Sequence, residues 1–127
     1  MYDRELIFEI LKQIREAARR IQRRFYGIRQ PDDFLATDEG LDRLDGIAMM
    51  LITIGESLKK IDKITRKALL KRYPDFDWKG AKGVRDIISH HYFDINAEVV
   101  FNICQQHIPE LLTVVEKILQ DLNDGSV

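Results

Sequence analysis

The sequence is poor in cysteine, has no excess of charge of either sign, and lacks any long uncharged apolar run. Its one cysteine, Cys104, cannot form a disulfide within the chain. Lys and Arg number 20 against 21 Asp and Glu, so the net charge is −1 and no overall attraction to nucleic acid exists. No apolar run approaches the ~18 residues of a membrane span, and no signal-peptide pattern opens the sequence. We therefore expect a cytoplasmic protein.

Apolar residues spaced alternately three and four apart run along most of the chain, which is typical of amphipathic helices. The first such series predicts a helix over residues 3–26 and contains Ile7, Leu11, Ile14, Ala18, Ile21 and Phe25. A second series predicts a long helix from about 38 to 72, capped by Thr37 or Asp38, with a bend near Gly46 or a break within 60–62.

Capping residues and prolines place the remaining helices. Asp77 can cap a short helix that ends near residue 90 or 91, and Asn96 can cap the next one. Pro109 fits the first turn of the last helix. Because the connections are short, the sequence predicts one all-α domain over residues 1–127, an up-and-down bundle of four to five helices.

Two glycines inside the second predicted helix indicate close packing. Gly46 and Gly55 each cost a helix about 1 kcal/mol relative to alanine. Their presence predicts close approach by another helix, from this chain or from a second copy of it.

The segment 84–93 holds the residues best suited to chemistry, which are Arg85, His90, His91 and Tyr92. A histidine can transfer protons near neutral pH, and an arginine can hold a phosphate. Together they suffice for RNA cleavage without a metal. The structural alternative is that Arg85 forms a salt bridge while the histidine and tyrosine side chains cap the helix and fill space.

The spacing of Arg85 and His90 raises a geometrical question. Five residues along an ideal helix turn about 140° around its axis, so the two side chains would diverge. They can converge if the helix ends or distorts by His90, or if a second copy of the chain completes the pocket. We expect both effects together.

The pattern Arg85-x4-His90-x-Tyr92 resembles the signature of HEPN domains, in the form found in HepT-like toxins. Further segments resemble the same family in the same order, and they are Ile54-Gly55-Glu56, Pro74 with Trp78 and Gly83, Tyr92-Phe93-Asp94-Ile95, and Ile108-Pro109-Glu110-Leu111. The resemblance implies a HEPN-like helical bundle, homodimerisation and ribonuclease toxicity.

The resemblance also implies a partner and a modification. The expected partner is a small nucleotidyltransferase antitoxin of the MNT type, which transfers AMP from ATP to the tyrosine of the motif. Arg85 and His90 would then be catalytic and Tyr92 would be the AMP acceptor. The added phosphodiester would place bulk and negative charge beside Arg85 and repel RNA.

Four further residues are expected to support the site: Asp86, Glu56, Ser89 and His91. HEPN proteins often have Asn after the arginine, and Asp86 adds a negative charge there. Glu56 is either a half-buried carboxylate paired with an arginine or a charge partner of Arg85 or His90. Adjacent histidines on a helix point apart, so no metal and no cofactor are expected. The alternative function is a non-catalytic helical dimer that presents Tyr92 to the nucleotidyltransferase.

The end of the first predicted helix is rich in arginine, with Arg15, Arg19, Arg20, Arg23, Arg24 and Arg29. This stretch is either a solvated face paired with carboxylates elsewhere or a surface for RNA or an acidic partner.

Overall fold

Helices form nearly all of the regular structure in residues 2–88 and 94–127, which are the residues that the computed structural model describes. In chain order they are α1 (Arg4–Phe25), α2 (Asp32–Leu35), α3 (Asp38–Thr65), α4 (Trp78–Lys82), α5 (Val84–Ile88), α6 (Ala97–Asn102) and α7 (Ile108–Asn123). A 3₁₀ turn spans Leu70–Arg72 and a π-helical turn spans Ile103–His107. The predicted all-α, HEPN-like bundle is confirmed.

Helix α1 begins and ends where its sequence indicates. The Asp3 carboxylate accepts a hydrogen bond from the Leu6 amide at 3.0 Å, and Gly27 adopts a φ of +85° just beyond the end of the helix. The apolar stripe of α1 is buried, and its members are Ile7, Ile10, Leu11, Ile14, Ala17, Ala18 and Ile21. This stripe packs against α3 and α7 and supplies one side of the core.

Of the three long helices, α3 and α7 both run opposite to α1 and so run in the same direction as each other. Arg24, near the end of α1, lies beside Gly46 in the first half of α3, so these two helices are antiparallel. Arg4, at the start of α1, donates to the Leu122 carbonyl near the end of α7 at 2.9 Å, so α7 is also antiparallel to α1. The short helices α4, α5 and α6 pack against α3.

Helix α3 ends at Thr65, so the prediction of a helix continuing to residue 72 is wrong. Arg66 and Lys67 both adopt left-handed backbone conformations, with φ of 54° and 64°. The Lys67 amide donates to the Asp62 carbonyl at 2.8 Å, which closes the helix end. The chain then turns so that Leu69 and Leu70 enter the core, while Ala68 is exposed.

The predicted caps of the other helices are confirmed. Thr37, Asp77 and Asn96 each accept a hydrogen bond from the amide three residues later, at 2.9, 2.9 and 3.1 Å. Pro109 lies in the first turn of α7. Among the helices of the described ranges, none is both long enough and apolar enough to cross a membrane.

Candidate functional site

The turn before α4 is fixed by an aromatic pair. The Trp78 indole donates to the Tyr73 carbonyl at 2.8 Å, and its ring lies 4.6 Å from that of Phe76, measured between centroids. Asp77 caps α4 at the same place. The start of the segment that leads into the Arg85 motif is therefore held rigidly against the bundle.

Gly55 of α3 allows the end of α4 to approach closely. A Cβ atom at this position would lie 2.9 Å from the Ala81 carbonyl oxygen and 3.4 Å from that of Lys82. The close approach predicted for this glycine is confirmed, and it comes from the same chain. Gly46 is likewise approached by Arg24 of α1.

A partly buried ion pair joins α4 to α3 beside this contact. Asp62 is buried, and its carboxylate is bonded to the ammonium of Lys82, three residues before Arg85. Sequence reasoning missed this pair. One signal was available, because Asp62 lies next to Ile61 on a helix face that otherwise turns inward. The pair fixes the position from which α5 starts.

Helix α5 is held by its two ends and presents its middle to solvent. Val84 and Ile88 are buried in the core, whereas Arg85 and Asp86 are exposed. Ile87 is 48% exposed. The Arg85 guanidinium is thus placed on a solvent-facing surface by a rigid anchor, as a residue that binds a phosphate of a large substrate needs to be.

Glu56 lies near Arg85 but is exposed rather than half-buried. Its carboxylate forms an ion pair with Lys59 at 3.0 Å. The hydrogen bond from Lys59 and the charge of Lys59 lower the pKa of Glu56, and the charge of Arg85 adds to that effect. Glu56 therefore lies within electrostatic reach of Arg85, while its hydrogen-bonded partner is a lysine.

Four of the predicted site residues lie outside the described ranges: Ser89, His90, His91 and Tyr92. The convergence of Arg85 and His90 stays a prediction. The structure does fix the two flanks of this segment, because the Asn96 amide donates to the Ile88 carbonyl at 2.7 Å.

A cavity of about 200 Å³ lies on the inner side of α5, and nothing in the sequence had indicated it. Its walls are mainly apolar and include Leu51, Ile54, Val84, Ile103 and Leu111. The lining also includes Asp77, Asn102 and His107, but it does not include Arg85, which is exposed.

Two other residues with side chains capable of chemistry, Cys104 and His107, have structural roles. Cys104 is buried in the π-helical turn, and burial raises the pKa of its thiol to about 12, so it is a poor nucleophile. His107 lies 3.1 Å from the Glu110 carboxylate at the start of α7. In the described part of the chain, no three His, Cys, Asp or Glu side chains are grouped so that they could hold a metal ion.

Comparison with known protein families shows which family this chain belongs to. The family model described as "Ribonuclease HepT-like" matches residues 3–118, which is nearly the whole chain and includes the Arg85 motif. The chain belongs to the HepT-like family. The resemblance drawn from the motif and its flanking segments is confirmed by this match.

Curated relatives of this HepT-like chain carry matching names. Two proteins of Methanocaldococcus jannaschii, each named "Putative RNase", are 33% and 36% identical over 57% and 58% of this chain, and over 56% and 60% of their own lengths. A "Putative RNase" of Caldanaerobacter subterraneus is 34% identical over 53% of this chain and 56% of its own length. The match thus spans less than two thirds of each relative. No solved structure matches the chain.

Proposed function

We propose that this HepT-like chain is a metal-independent endoribonuclease and the toxin of a toxin–antitoxin pair. The observation that carries the proposal is the anchored, solvent-facing Arg85 within a family match that spans the whole Arg-x4-His-x-Tyr motif. The names of the curated relatives support the same activity.

The proposed reaction uses the ribose hydroxyl as nucleophile. His90 helps to remove the proton of the 2′-hydroxyl, whose oxygen then forms a bond to the adjacent phosphorus. The bond from phosphorus to the 5′-oxygen breaks, and that oxygen takes up a proton. Arg85 binds the non-bridging oxygens and stabilises the charge that develops on them. The products are a 2′,3′-cyclic phosphate end and a 5′-hydroxyl end.

A second copy of the chain is proposed to complete the site. Met49 is 61% exposed on α3, two turns before Glu56 on the same face, and Ile52 lies between them. Ile87 is exposed beside Arg85 on α5. Exposed apolar side chains on α5 beside Arg85, and on the face of α3 that carries Glu56, favour a homodimer whose interface borders the two sites.

The proposed antitoxin is a nucleotidyltransferase of the MNT type that acts on Tyr92. The tyrosine oxygen would attack the α-phosphorus of ATP, with release of pyrophosphate and of the phenolic proton. The resulting AMP group would bring a negative charge to the Arg85 surface, which is exposed and therefore open to it.

Cleavage of single-stranded RNA in the presence of EDTA tests the nuclease. We expect the unmodified chain to leave 2′,3′-cyclic phosphate ends, and His90→Ala and Arg85→Ala to lose about 10²-fold or more in rate. Lys59→Ala is a matched control, since it removes a nearby cation outside the motif. Equal cleavage by all three variants would show that the assigned roles are wrong.

A non-catalytic dimer that presents Tyr92 to the nucleotidyltransferase is the second candidate, favoured by the exposed carboxylate of Asp86 beside the proposed phosphate site. Asp86→Asn distinguishes the two. If the parent chain never cuts RNA but gains mass in AMP units when co-expressed with the transferase, the second candidate holds. Restored cleavage in Asp86→Asn would then identify the carboxylate as the cause.

A further inference from the structure

One face near the end of α1 combines exposed cations with an exposed aromatic ring. Arg19, Gln22, Arg23 and Tyr26 are spaced three, four and seven residues apart, so they project from the same side of the helix. Together they line a shallow depression on the surface, which we call the Tyr26 face. It lies on α1, outside the motif that contains Arg85.

The backbone of Tyr26 is held in place by hydrogen bonds at both its amide and its carbonyl. Its amide donates to the Gln22 carbonyl at 3.1 Å, and its carbonyl accepts from the Arg43 guanidinium at 2.7 Å. Its side chain is nevertheless 83% exposed, the largest exposed fraction among the large apolar and aromatic residues of the described ranges. An exposed aromatic ring on a backbone that is held in place can stack on an unpaired base.

The arginines of this region outnumber the carboxylates that neutralise them. Glu16 is hydrogen-bonded to Arg20 at 3.1 Å and lies 3.9 Å from Arg23. Glu116 is hydrogen-bonded to Arg15 at 2.9 Å and lies 3.8 Å from Arg19. Four guanidiniums thus share two carboxylates. Arg19 and Arg23 have the longer ion-pair distances, and these are the two arginines of the Tyr26 face.

We propose that the Tyr26 face binds single-stranded RNA, with the Tyr26 ring stacked on a base and the guanidiniums of Arg19 and Arg23 on phosphates. The Gln22 amide lies between them and can bond to the edge of that base. A double helix would not fit, because its bases are stacked on each other and unavailable to the ring. The inference rests on the proposed ribonuclease function and adds a second binding surface for the same substrate.

The Tyr26 face and the Arg85 surface are far enough apart to need a strand of several nucleotides. The Tyr26 carbonyl accepts a hydrogen bond from Arg43 of α3, and Glu56 lies 13 residues further along that helix. At 1.5 Å per residue this axial separation is about 20 Å, or about six stacked nucleotide steps of 3.4 Å. A dinucleotide therefore reaches only the Arg85 surface, whereas a longer strand can contact both.

Binding of a fluorescently labelled single strand of about 16 nucleotides, measured by anisotropy in the His90→Ala background, tests the proposal without cleavage. We expect Tyr26→Ala to weaken binding about tenfold. The double variant Arg19→Gln, Arg23→Gln should reduce the slope of log K against log salt by about 1.4, the value for two lost phosphate contacts on a single strand. Lys67→Gln with Lys71→Gln removes the same charge at the other end of α3 and should leave the slope near that of the parent.

Cleavage assays with chains that retain His90 distinguish this proposal from the proposed ribonuclease activity. With the Tyr26→Ala change, a long strand should be cut with a raised KM and a dinucleotide at the parental rate. If all variants bind and cut long RNA like the parent, the Tyr26 face has no role in RNA binding, even if it proves to bind an acidic protein, and the ribonuclease stands. If the parent neither binds nor cuts RNA, the ribonuclease fails and this proposal fails with it.

Discussion

Gly55 is the residue at which the packing beside the proposed site is tightest. The atom nearest to a Cβ built there is a backbone oxygen of α4, which cannot rotate away as the end of a side chain could. Gly46, on the same helix, faces the flexible end of the Arg24 side chain at 3.0 Å. Replacement by alanine is therefore expected to have opposite effects on stability at these two glycines.

We expect Gly55→Ala to lower the free energy of unfolding by about 1–3 kcal/mol, because α4 must move and the core beside it is overpacked. RNA cleavage should fall as well, since α5 and Arg85 follow α4. Gly46→Ala is the control and should be neutral or stabilise by up to about 1 kcal/mol through its better helix propensity. Urea denaturation of both variants measures the difference, and equal values for the two would contradict this account of Gly55.

At the scale of single residues, the sequence predicted much of what the structure contains. The caps Asp3, Thr37, Asp77 and Asn96 could be identified because a capping side chain bonds to an amide only three residues away. The burial of Asp62 left a signal in the sequence, but its pairing with Lys82 could not be identified, because that depends on how two separate helices are packed. Nor could the difference between the adjacent apolar residues Phe34, which is buried, and Leu35, which is 53% exposed.

Among the elements, the sequence misplaced the end of α3, and the one short helix predicted after Asp77 is wrong because it is interrupted at Gly83 and forms α4 and α5. The periodicity of apolar residues continues beyond Thr65, but Arg66 and Lys67 take left-handed conformations that only glycine adopts without cost. Neither residue is a recognisable helix terminator. The break is imposed by tertiary packing that brings Leu69 and Leu70 into the core, and a local pattern contains no information about it.

Replacing Lys67 by glycine should stabilise the protein. The side chain is exposed, and its φ of 64° is strained for a residue with a Cβ, so relief of that strain should raise the free energy of unfolding by about 0.5–1 kcal/mol. Lys63→Gly, one turn earlier on an exposed helical position, should instead lower it by about 1 kcal/mol. Thermal denaturation of the two variants should therefore give shifts of opposite sign, and shifts of the same sign would refute the strain at Lys67.

At the scale of the whole molecule, the helices that form the core are different from the helices that carry the proposed site. The long helices α1, α3 and α7 form the core, and the short helices α4 and α5 carry Arg85 to the outside of the bundle beside α3. The face of α3 next to it carries Met49 and Ile52, whose apolar side chains are incompletely covered. From the sequence, the family and the bundle could be predicted, because the motif and the periodicity are local. The cavity behind α5 could not, since it is formed by residues from five separate segments of the chain.

The proposed homodimer gives a prediction for the assembled protein. Met49→Glu places a charge on the apolar face of α3 and should convert the dimer to a monomer, with loss of cleavage if the partner completes the site. Leu35→Glu puts the same charge on another exposed apolar residue and should leave the dimer intact. Sedimentation velocity of the two variants measures the outcome. A Met49→Glu chain that remains a fully active dimer would exclude this face as the interface.

The hydrogen bond between the Asn96 amide and the Ile88 carbonyl affects how far the length of the chain between them can vary. It ties the two flanks of residues 89–95 together, so the length of the intervening stretch is uncoupled from the register of α5 and α6. Doubling the length of a loop whose ends are held costs only about 0.6 kcal/mol in closure entropy. We therefore expect an insertion between residues 88 and 90 to change the spacing of Arg85 and His90 while α5 and α6 keep their positions.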